Sequence, residues 1–346
     1  MNLKRRILLF ILLIIVPLFS IWILQQKYIV LEGQTMGTAY SIKCYVPKWI
    51  SKQKLSLDVK NELDRLNLIF STWDKESEIS LFNESYSTSN ITISNEFKYL
   101  IDESFKLYND TTGIFDPTVK SLSDSWGFSS KLSFFSVPND SQLSKVSTYI
   151  GLENLIVSGN IIRKQDPNIK IDLSSIVKGY AVDKLSILLD KSRSKRYMIE
   201  IGGEVRVKTN NMKKPWRIGI TKPIYHQLQQ ELFGFVEIVN GAIATSGDYQ
   251  NFFEKDGKIY SHIMDSKTGA PVESDVTSVS IYAPNCMLAD ALATAVIAMG
   301  LNRGLSLIES YPNVDGLIIS RNNDHTLNLY QSSGFHKINF KKITAN

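Results

Sequence analysis

The sequence predicts a mixed α+β fold, with mixed sheets and packed helices, preceded by one N-terminal transmembrane helix. Residues Ile7–Leu24 run for eighteen positions without a charge, close to the length that crosses a bilayer as a helix. Apolar side chains alternate in Thr38–Val46 and in Val276–Ala283, which is the pattern of half-buried strands. In Leu288–Met299 they recur at three- and four-residue steps, which indicates an amphipathic helix.

The N-terminal segment is predicted to remain as an anchor. The basic run Lys4–Arg6 precedes it, and such residues stay on the cytoplasmic side of a membrane. A cleaved signal peptide is the alternative, but its apolar region should end in small residues, whereas Trp22 and other bulky residues occupy that place. We therefore expect a signal anchor in residues 1–30 and a folded domain in residues 31–346, on the periplasmic side of the inner membrane.

Charge and cysteine content exclude some partners and leave one question open. The formal net charge is +5, but four of the 39 basic residues lie in the first thirty positions, which contain no acidic residue. The rest of the chain is close to neutral and gives no electrostatic footprint for nucleic acid, so we expect no nucleic-acid partner. Cys44 and Cys286 form neither a disulfide framework nor a metal pattern, and their spacing leaves open whether they pair.

Two predicted helices follow the first strand. Their apolar positions are Val59, Leu63, Leu66 and Phe70 in the first, and Phe97, Leu100, Ile101, Phe105 and Tyr108 in the second. Residues 70–83 between them have the composition of a polar loop with apolar anchors. In Thr111–Val119, Gly113 ends the second helix and Pro117 restricts the backbone after Asp116. Residues 120–150 are predicted as an irregular excursion that ends in a short helix.

A strand-to-helix junction is a candidate phosphate site. Ile169–Leu173 alternates as a strand, and a helical stripe follows Ser174-Ser175, residues that favour helix N-caps. A helix N-terminus presents unpaired N–H groups and positive partial charge to an anion. Lys178 would add a full charge in the first turn, and Gly179 would allow close approach. The same pattern also fits an ordinary connection with a solvated lysine.

The segment Ala242–Pro271 contains a candidate catalytic histidine. Asp256-Gly257 predicts a hairpin between two aromatic-rich strands. The second strand leads to His262, which lies three residues before Asp265 and ahead of a loop punctuated by glycine and proline. A single histidine is often structural, but catalytic residues are frequently found on loops that a rigid scaffold positions.

Asp290 and Thr294 form a candidate partial metal site, because residues four apart lie one turn above each other on a helix. A carboxylate and a hydroxyl suit a hard cation. The alternative is that Asp290 favours the positive end of its helix and Thr294 only packs. The alanines that pave this face, and would admit a large ligand, are Ala289, Ala291, Ala293 and Ala298. Beyond Gly300 the sequence predicts one more helix, a strand, and a C-terminal hairpin that turns at Ser332–Gly334.

Five blocks of sequence stand out together. They are S-T-W followed by S-E-I-S-L-F-N, I-D-L-S-S-I-V-K-G-Y-A-V-D, T-S-G-D-Y, H-I-M-D-S-K-T-G-A-P, and A-D-A-L-A-T-A. In content and order they resemble the ApbE-type flavin transferases, which move FMN from FAD onto a protein threonine. The resemblance extends from about Thr35 to Ser320, so it covers most of the chain.

The resemblance implies roles for individual residues. His262 and Asp265 are implied as catalytic, with His262 the base for the incoming hydroxyl. The implied FAD contacts are Met36, Trp73, Ile114, Phe115, Asp116, Asp172, Lys178 and Met264. The implied ligands of Mg²⁺ are Ser175, through its backbone, Asp290 and Thr294. Three positions depart from the family pattern: Trp73 stands in place of Tyr, Ser266 in place of Pro, and Ala293 where some members carry a further carboxylate.

The implied activity of residues 31–346 is Mg²⁺-dependent transfer of FMN from FAD to a threonine hydroxyl, with release of AMP. The expected partners are FAD, an acceptor protein that is a membrane-associated redox subunit, and the membrane itself through the N-terminal helix. Hydrolysis of FAD to FMN and AMP is one alternative, and flavin binding without catalysis is another. A base beside a metal pair favours catalysis, because storage of a flavin needs no base. The choice between Mg²⁺ and Mn²⁺ stays open.

Overall fold

The computed structural model describes residues 25–128, 135–226, 231–322, 324 and 326–343. No helix within these ranges combines the length and the apolar character that a membrane span requires. Even the 19-residue helix Lys52–Phe70 carries charged side chains, whereas a span needs about 20 mostly apolar residues. The predicted segment Ile7–Leu24 lies outside the described residues. The fold prediction is therefore corrected to a mixed α+β fold without its transmembrane helix, and the membrane-anchored, periplasmic localisation derived from that helix is not upheld.

Eighteen strands are present in the described chain, and eight of them form one sheet. In chain order the strands are β1 (Gln26–Thr35), β2 (Thr38–Pro47), β3 (Ile91–Thr92), β4 (Leu155–Ser158), β5 (Ile161–Lys164), β6 (Arg196–Ile201), β7 (Glu204–Thr209), β8 (Trp216–Thr221), β9 (Leu232–Ile238), β10 (Asn240–Gly247), β11 (Phe252–Lys255), β12 (Lys258–Ser261), β13 (Met264–Asp265), β14 (Ala270–Pro271), β15 (Val276–Ala283), β16 (Asp315–Arg321), β17 (Leu327–Gln331) and β18 (Lys341–Lys342). The large sheet has the order β1-β2-β6-β7-β10-β15-β16-β17, and its neighbours are antiparallel. Smaller sheets have the orders β18-β9-β8, β3-β5-β4, β11-β12 and β13-β14.

The helices lie between groups of strands. They are α1 (Lys52–Phe70), α2 (Glu78–Glu84), α3 (Asn95–Asp110), α4 (Lys120–Ser125), α5 (Asp140–Ser147), α6 (Ser174–Lys191), α7 (Cys286–Met299) and α8 (Leu301–Ser310), with short 3₁₀ turns at Pro117–Val119, Leu152–Asn154 and Phe335–Ile338. The predicted helices over residues 59–70, 97–108 and 288–299 are confirmed as parts of α1, α3 and α7. Strand β15 has the predicted bounds.

The large sheet is covered on both faces. Helices α6 and α7 pack on one face, where Ile199 of β6 enters the main core. The sheet β18-β9-β8 covers part of the other face, and Ile218 of β8 lies in a second core there. Because side chains alternate along a strand, Ala242 of β10 belongs to the main core and its neighbour Ile243 to the second one. The strands of the sheet are therefore fixed in register by burial on both sides.

Two tight turns meet at one end of this sheet. Met36 and Gly37 join β1 to β2 with φ of 49° and 75°, and Gly202-Gly203 joins β6 to β7 with φ of 63° and 107°. Positive φ at both central residues is typical of two-residue hairpin turns that match the twist of the strands. A Cβ at Gly202 would lie 2.8 Å from Thr38 Cγ2, so the two turns are in close contact. They form one rim of the cleft described below.

The segment Ile169–Leu173 differs from its prediction. Its apolar side chains are buried, as the alternation indicated, but the segment is not a strand. The side chain of Asn83 takes the place of a neighbouring strand: its Nδ2 donates to the Ile171 carbonyl at 2.9 Å, and its Oδ1 accepts from the Ile171 amide at 2.8 Å. The predicted N-caps also differ, since α6 has Leu173 at its N-cap with no side-chain capping bond.

Two further segments were predicted incorrectly. Residues 70–83 contain α2, whose N-cap Ser77 accepts from the Ser80 amide; seven residues are too few to show a helical period. The C-terminal hairpin at residues 332–334 does not form, because β18 pairs with β9 and not with β17. Ser332 is instead bound to β16: its hydroxyl donates to Asp315 and accepts from the Gly316 amide.

The question of the cysteines is answered by their positions. Cys44 on β2 and Cys286 at the start of α7 are both free and both buried. Burial raises the pKa of each thiol above its ordinary value, so both remain protonated and behave as small apolar residues. They do not pair.

Helix α6 approaches α7 unusually closely at Gly179. A Cβ added to Gly179 would lie 2.3 Å from the Cys286 carbonyl oxygen. The Gly179 amide donates to Asp290 Oδ2 at 2.9 Å. Only glycine leaves room for the backbone of one helix to lie against the backbone of the other.

We expect Gly179→Ala to lower the free energy of unfolding by about 1–3 kcal/mol, because the added methyl group meets backbone that cannot move aside cheaply. Urea denaturation measures this change. Gly219→Ala is the matched control, since a Cβ there meets the mobile end of Leu232, and it should cost little. Equal stability of the two variants would show that the helices tolerate separation.

Candidate active site

A cleft of about 480 Å³ opens where the β1–β2 and β6–β7 turns, the start of α6, the end of β10 and the side of α7 converge. Most of the residues singled out from the sequence line it. They are Met36, Ile114, Phe115, Asp116, Asp172, Ser175, Lys178, His262, Met264 and Thr294. These positions span most of the chain, so the fold, and not proximity in sequence, assembles the site.

Three of the singled-out residues are not among those that line the cleft. Trp73 lies on the loop after α1 and is 51% exposed. Asp265 shapes the loop after His262, because its Oδ1 accepts from the Lys267 amide at 2.8 Å and its carbonyl from the Gly269 amide at 2.9 Å. Asp290 is buried, and its Oδ1 lies 3.6 Å from Nζ of Lys178, which lines the cleft.

Hydrogen bonds hold His262 in a form suited to accept a proton. Its backbone N–H donates to the Asn251 carbonyl at 3.0 Å, and its Nδ1 lies 3.0 Å from the same oxygen. A carbonyl can only accept, so Nδ1 carries the proton, and the neutral ring keeps its lone pair on Nε2. Burial lowers the pKa of His262 below its ordinary value. Asn251, and not Asp265, therefore orients this imidazole.

The start of α6 faces the cleft with its own polar groups. Asp172 Oδ1 accepts from the Ser174 amide at 2.8 Å. Ser175 follows directly, Lys178 lies one turn further along the helix, and both line the cleft. The Asp172 amide donates to the Pro117 carbonyl at 2.8 Å. This bond ties the α6 junction to the turn that contains Asp116.

Asp116 is a buried carboxylate at one wall of the cleft. Its Oδ1 accepts from the Thr118 amide at 2.8 Å and from the Thr118 hydroxyl at 2.6 Å. Burial outweighs these bonds and raises the pKa of Asp116 to about 6. The neighbouring Gly113 carbonyl accepts from the Ser266 hydroxyl at 2.9 Å, so the residue that replaces the family's proline connects the His262 loop to this wall.

Lys178 lies between two buried carboxylates. Its Nζ is 3.2 Å from Glu204 Oε1 and 3.6 Å from Asp290 Oδ1. Burial alone would lower the pKa of Lys178, but the charges of Asp290 and Glu204 outweigh it and hold that pKa above its ordinary value. Burial likewise raises the pKa of Glu204 above its ordinary range, against the pull of the ammonium. One ammonium group therefore forms ion pairs with both carboxylates.

The oxygen atoms beside Lys178 fit a hard divalent cation. Thr294 Oγ1 lies 3.2 Å from Ser246 Oγ, and Glu204 Oε2 is buried without a hydrogen-bond partner. In the described ranges no group of three or more His, Cys, Asp or Glu side chains could hold a metal unaided. Carboxylate, hydroxyl and backbone oxygens are nevertheless the donors that Mg²⁺ takes, together with waters and phosphates. The donor set therefore suits that ion.

Sequence reasoning missed Glu204 and Asn251. Glu204 follows the Gly202-Gly203 pair and alternates with apolar residues in step with Arg206 and Lys208. This pattern is typical of a solvent-exposed strand face, so the sequence contains no signal that Glu204 is buried. Asn251 acts through its backbone carbonyl, a group that every residue type has, so the sequence cannot indicate this role. The alanine face of α7 was also misread, since Ala289, Ala291 and Ala293 are fully buried and Ala298 lines the cleft.

Comparison with known proteins gives matches that extend over most of the chain. The model of the ApbE family matches residues 36–318. A Vibrio cholerae protein named FAD:protein FMN transferase is 38% identical over 308 residues, 88% of this chain and 91% of that protein. A Haemophilus influenzae protein of the same name is 33% identical over 322 residues, 91% and 92% of the two chains.

The fold is shared as well. The solved structure of the flavin transferase ApbE from Vibrio cholerae superposes with a TM-score of 0.82 at 35% identity, and the match covers 91% of this chain and 100% of that one. The family model and the relatives each extend over most of the chain. The chain therefore belongs to the ApbE family.

Proposed function

We propose that the protein transfers FMN from FAD to a threonine hydroxyl of an acceptor protein, with Mg²⁺ bound and AMP released. The observation that carries this proposal is the placement of a neutral His262, with a free lone pair on Nε2, in the same cleft as Lys178 and the N-terminus of α6. A base and an anion-binding end in one cleft are what transfer from a diphosphate requires. The names of the relatives support one part of this activity, the transfer of FMN from FAD to a protein.

In the proposed step, the threonine oxygen attacks the phosphorus of the FMN half of FAD. His262 Nε2 takes the hydroxyl proton as the new P–O bond forms. The P–O bond to the AMP half breaks, and its electron pair leaves on the AMP phosphate. The protein therefore has to align the hydroxyl, accept one proton and compensate phosphate charge.

The two ends of the cleft divide this work. Ile114, Phe115 and Met264 provide apolar surface for the flavin ring, while Lys178 and the positive N-terminal end of α6 compensate the diphosphate. The stacking role of Trp73 stays a prediction. Asp290, Thr294 and the Ser175 backbone would hold Mg²⁺, which, when bound, neutralises phosphate charge and polarises a phosphoryl oxygen.

We expect His262→Ala to reduce covalent flavinylation by roughly 10²–10⁴-fold, the usual contribution of a general base, while FAD binding is kept. In-gel flavin fluorescence and the mass of FMN on a threonine-containing acceptor measure the reaction. His336→Ala is the matched control, because His336 also places Nδ1 against a backbone carbonyl, at 2.9 Å from Ser333 O, but is exposed on the C-terminal 3₁₀ turn.

The same assay separates the alternatives. AMP formed at one rate with and without acceptor indicates FAD hydrolysis. FAD recovered intact under all conditions indicates a binding protein. Flavinylation by the His262 variant at the wild-type rate would mean that another group takes the proton.

We expect kcat/KM for transfer to be constant near neutral pH and to fall on the acid side with a midpoint below the ordinary histidine value of about 6.5. The reason is that burial lowers the pKa of His262, so its base form persists to lower pH. A pH–rate profile measures the midpoint. The Asp116→Asn variant should show the same decrease of kcat/KM at low pH. If the decrease disappears in this variant, the titrating group is Asp116, whose pKa is about 6.

We expect Thr294→Val to raise the Mg²⁺ concentration needed for half-maximal activity by at least about tenfold, because it keeps the shape of the side chain and removes the hydroxyl oxygen. Thr294→Ser retains that oxygen and should remain close to wild type. A Mg²⁺ titration of activity for both variants checks this. If both variants respond to Mg²⁺ like the wild type, the hydroxyl has only a packing role.

A further inference from the structure

We propose that Lys178 is the counter-ion of Glu204 and Asp290 in the cation-free protein, that a divalent cation takes its position between the two carboxylates, and that the displaced ammonium then binds the diphosphate. Glu204 thereby becomes a further residue of the cation site. The inference rests on the proposed function, since it assigns its residues to the same reaction. It changes Lys178 from a fixed phosphate ligand into a group that moves when the cation binds.

The first support is the position of the ammonium. Lys178 Nζ lies between Glu204 Oε1 at 3.2 Å and Asp290 Oδ1 at 3.6 Å. The two carboxylate side chains are only 4% and 2% exposed, whereas that of Lys178 is 26% exposed. The carboxylates are therefore buried in the protein, whereas the more exposed Lys178 side chain is part of the wall of the cleft.

The second support is an oxygen without a partner. Three buried side-chain polar atoms of the described chain make no hydrogen bond: Glu204 Oε2, Arg206 Nε and Ser278 Oγ. Of these three residues only Glu204 lines the cleft. Buried polar atoms are rarely left without a hydrogen bond, because the free-energy cost of removing them from water is then not compensated. Glu204 Oε2 is explained if it binds a group that arrives with the substrate.

The third support is the balance of charge. One ammonium offsets one carboxylate, so the second needs either a proton or more positive charge. The other cations on this face of β7, Arg206 and Lys208, are engaged with Asp183 at 2.7 Å and Asp190 at 2.8 Å. Asp183 in turn accepts from the Cys286 and Met287 amides at 3.0 and 2.9 Å. Arg206 is thus committed to the start of α7. A divalent cation matches both carboxylates of the pair.

The displaced ammonium would stay at the start of α6. Lys178 Nζ already lies 3.3 Å from the Ser174 carbonyl in the first turn of α6, and Ser174 and Ser175 line the same cleft. The flexible four-carbon stem of a lysine can reorient without movement of the helix. Cation binding then releases a positive charge where the diphosphate binds. Cation and FAD should therefore strengthen each other's binding, and by the same factor.

The test is Mn²⁺ binding measured by electron paramagnetic resonance, with no FAD and no acceptor present. Lys178→Met removes the competing ammonium, so we expect it to bind Mn²⁺ at least about tenfold more tightly than wild type. Glu204→Gln removes a ligand, so we expect binding at least about tenfold weaker. Glu200→Gln is the matched control, because Glu200 is an exposed residue on the opposite face of neighbouring β6, and its Mn²⁺ affinity should not change.

The opposite signs of the two changes distinguish displacement from a structural role. A Lys178→Met variant that binds Mn²⁺ no better than wild type overturns the exchange, and wild-type affinity in Glu204→Gln removes Glu204 from the site. Loss of Lys178 also leaves two buried carboxylates unbalanced, so thermal unfolding is followed with and without Mn²⁺. Mn²⁺ should raise the unfolding temperature of Lys178→Met more than that of wild type; an equal or smaller rise contradicts the proposal.

Because the reaction is not part of this measurement, its result does not depend on whether transfer or hydrolysis occurs. Failure of flavinylation in the wild-type protein, combined with the expected Mn²⁺ affinities, would reject the transferase proposal and keep the exchange. Normal flavinylation by the wild-type protein, combined with unchanged Mn²⁺ affinity in both variants, would reject the exchange and keep the transferase proposal.

Discussion

The contact between α6 and α7 at Gly179 is the interaction on which the rest of the site depends. The Gly179 amide donates to Asp290, a carboxylate that is almost completely buried and would be costly there without a partner. The same bond aligns the second turn of α6 with the second turn of α7. Ser175 and Lys178 then face the cleft opposite Thr294. A larger side chain at residue 179 would separate these groups, so a packing constraint determines the geometry of the chemistry.

Charged residues extend this arrangement across the neighbouring strand. Glu204 and Arg206 lie two residues apart on β7, on the face that contacts α6, and pair with Lys178 and Asp183. Buried ion pairs contribute little net stability, because desolvation offsets their attraction. The ion pair between Arg206 and Asp183 has a structural role, because Asp183 also accepts from the first two amides of α7. In the ion pair of Glu204 with Lys178, Oε2 of Glu204 has no hydrogen-bond partner. We therefore assign this pair to ligand binding and not to stability.

The opposite side of the cleft is rigid for a different reason. The Asn251 carbonyl holds both the backbone and the ring of His262, so the orientation of the imidazole is set by main-chain geometry. Ser266 and Asp172 bind carbonyls near Asp116. The two bonds connect three segments that are far apart in sequence. The base, the apolar wall and the anion-binding helix are therefore positioned by hydrogen bonds made before any ligand arrives.

The sequence by itself determined the elements whose signals are local. Alternation over Val276–Ala283 and the Asp256-Gly257 turn correspond to β15 and to the β11–β12 hairpin, because side-chain period and turn chemistry depend only on neighbouring residues. Most of the residues that the family resemblance singled out also line the cleft. Tertiary structure alone decided the rest, since the deciding partners are distant: Asn83 satisfies the Ile171 backbone across 88 positions in place of a strand. In the same way, the role of Glu204 follows from a lysine and an aspartate that only the folded chain brings beside it.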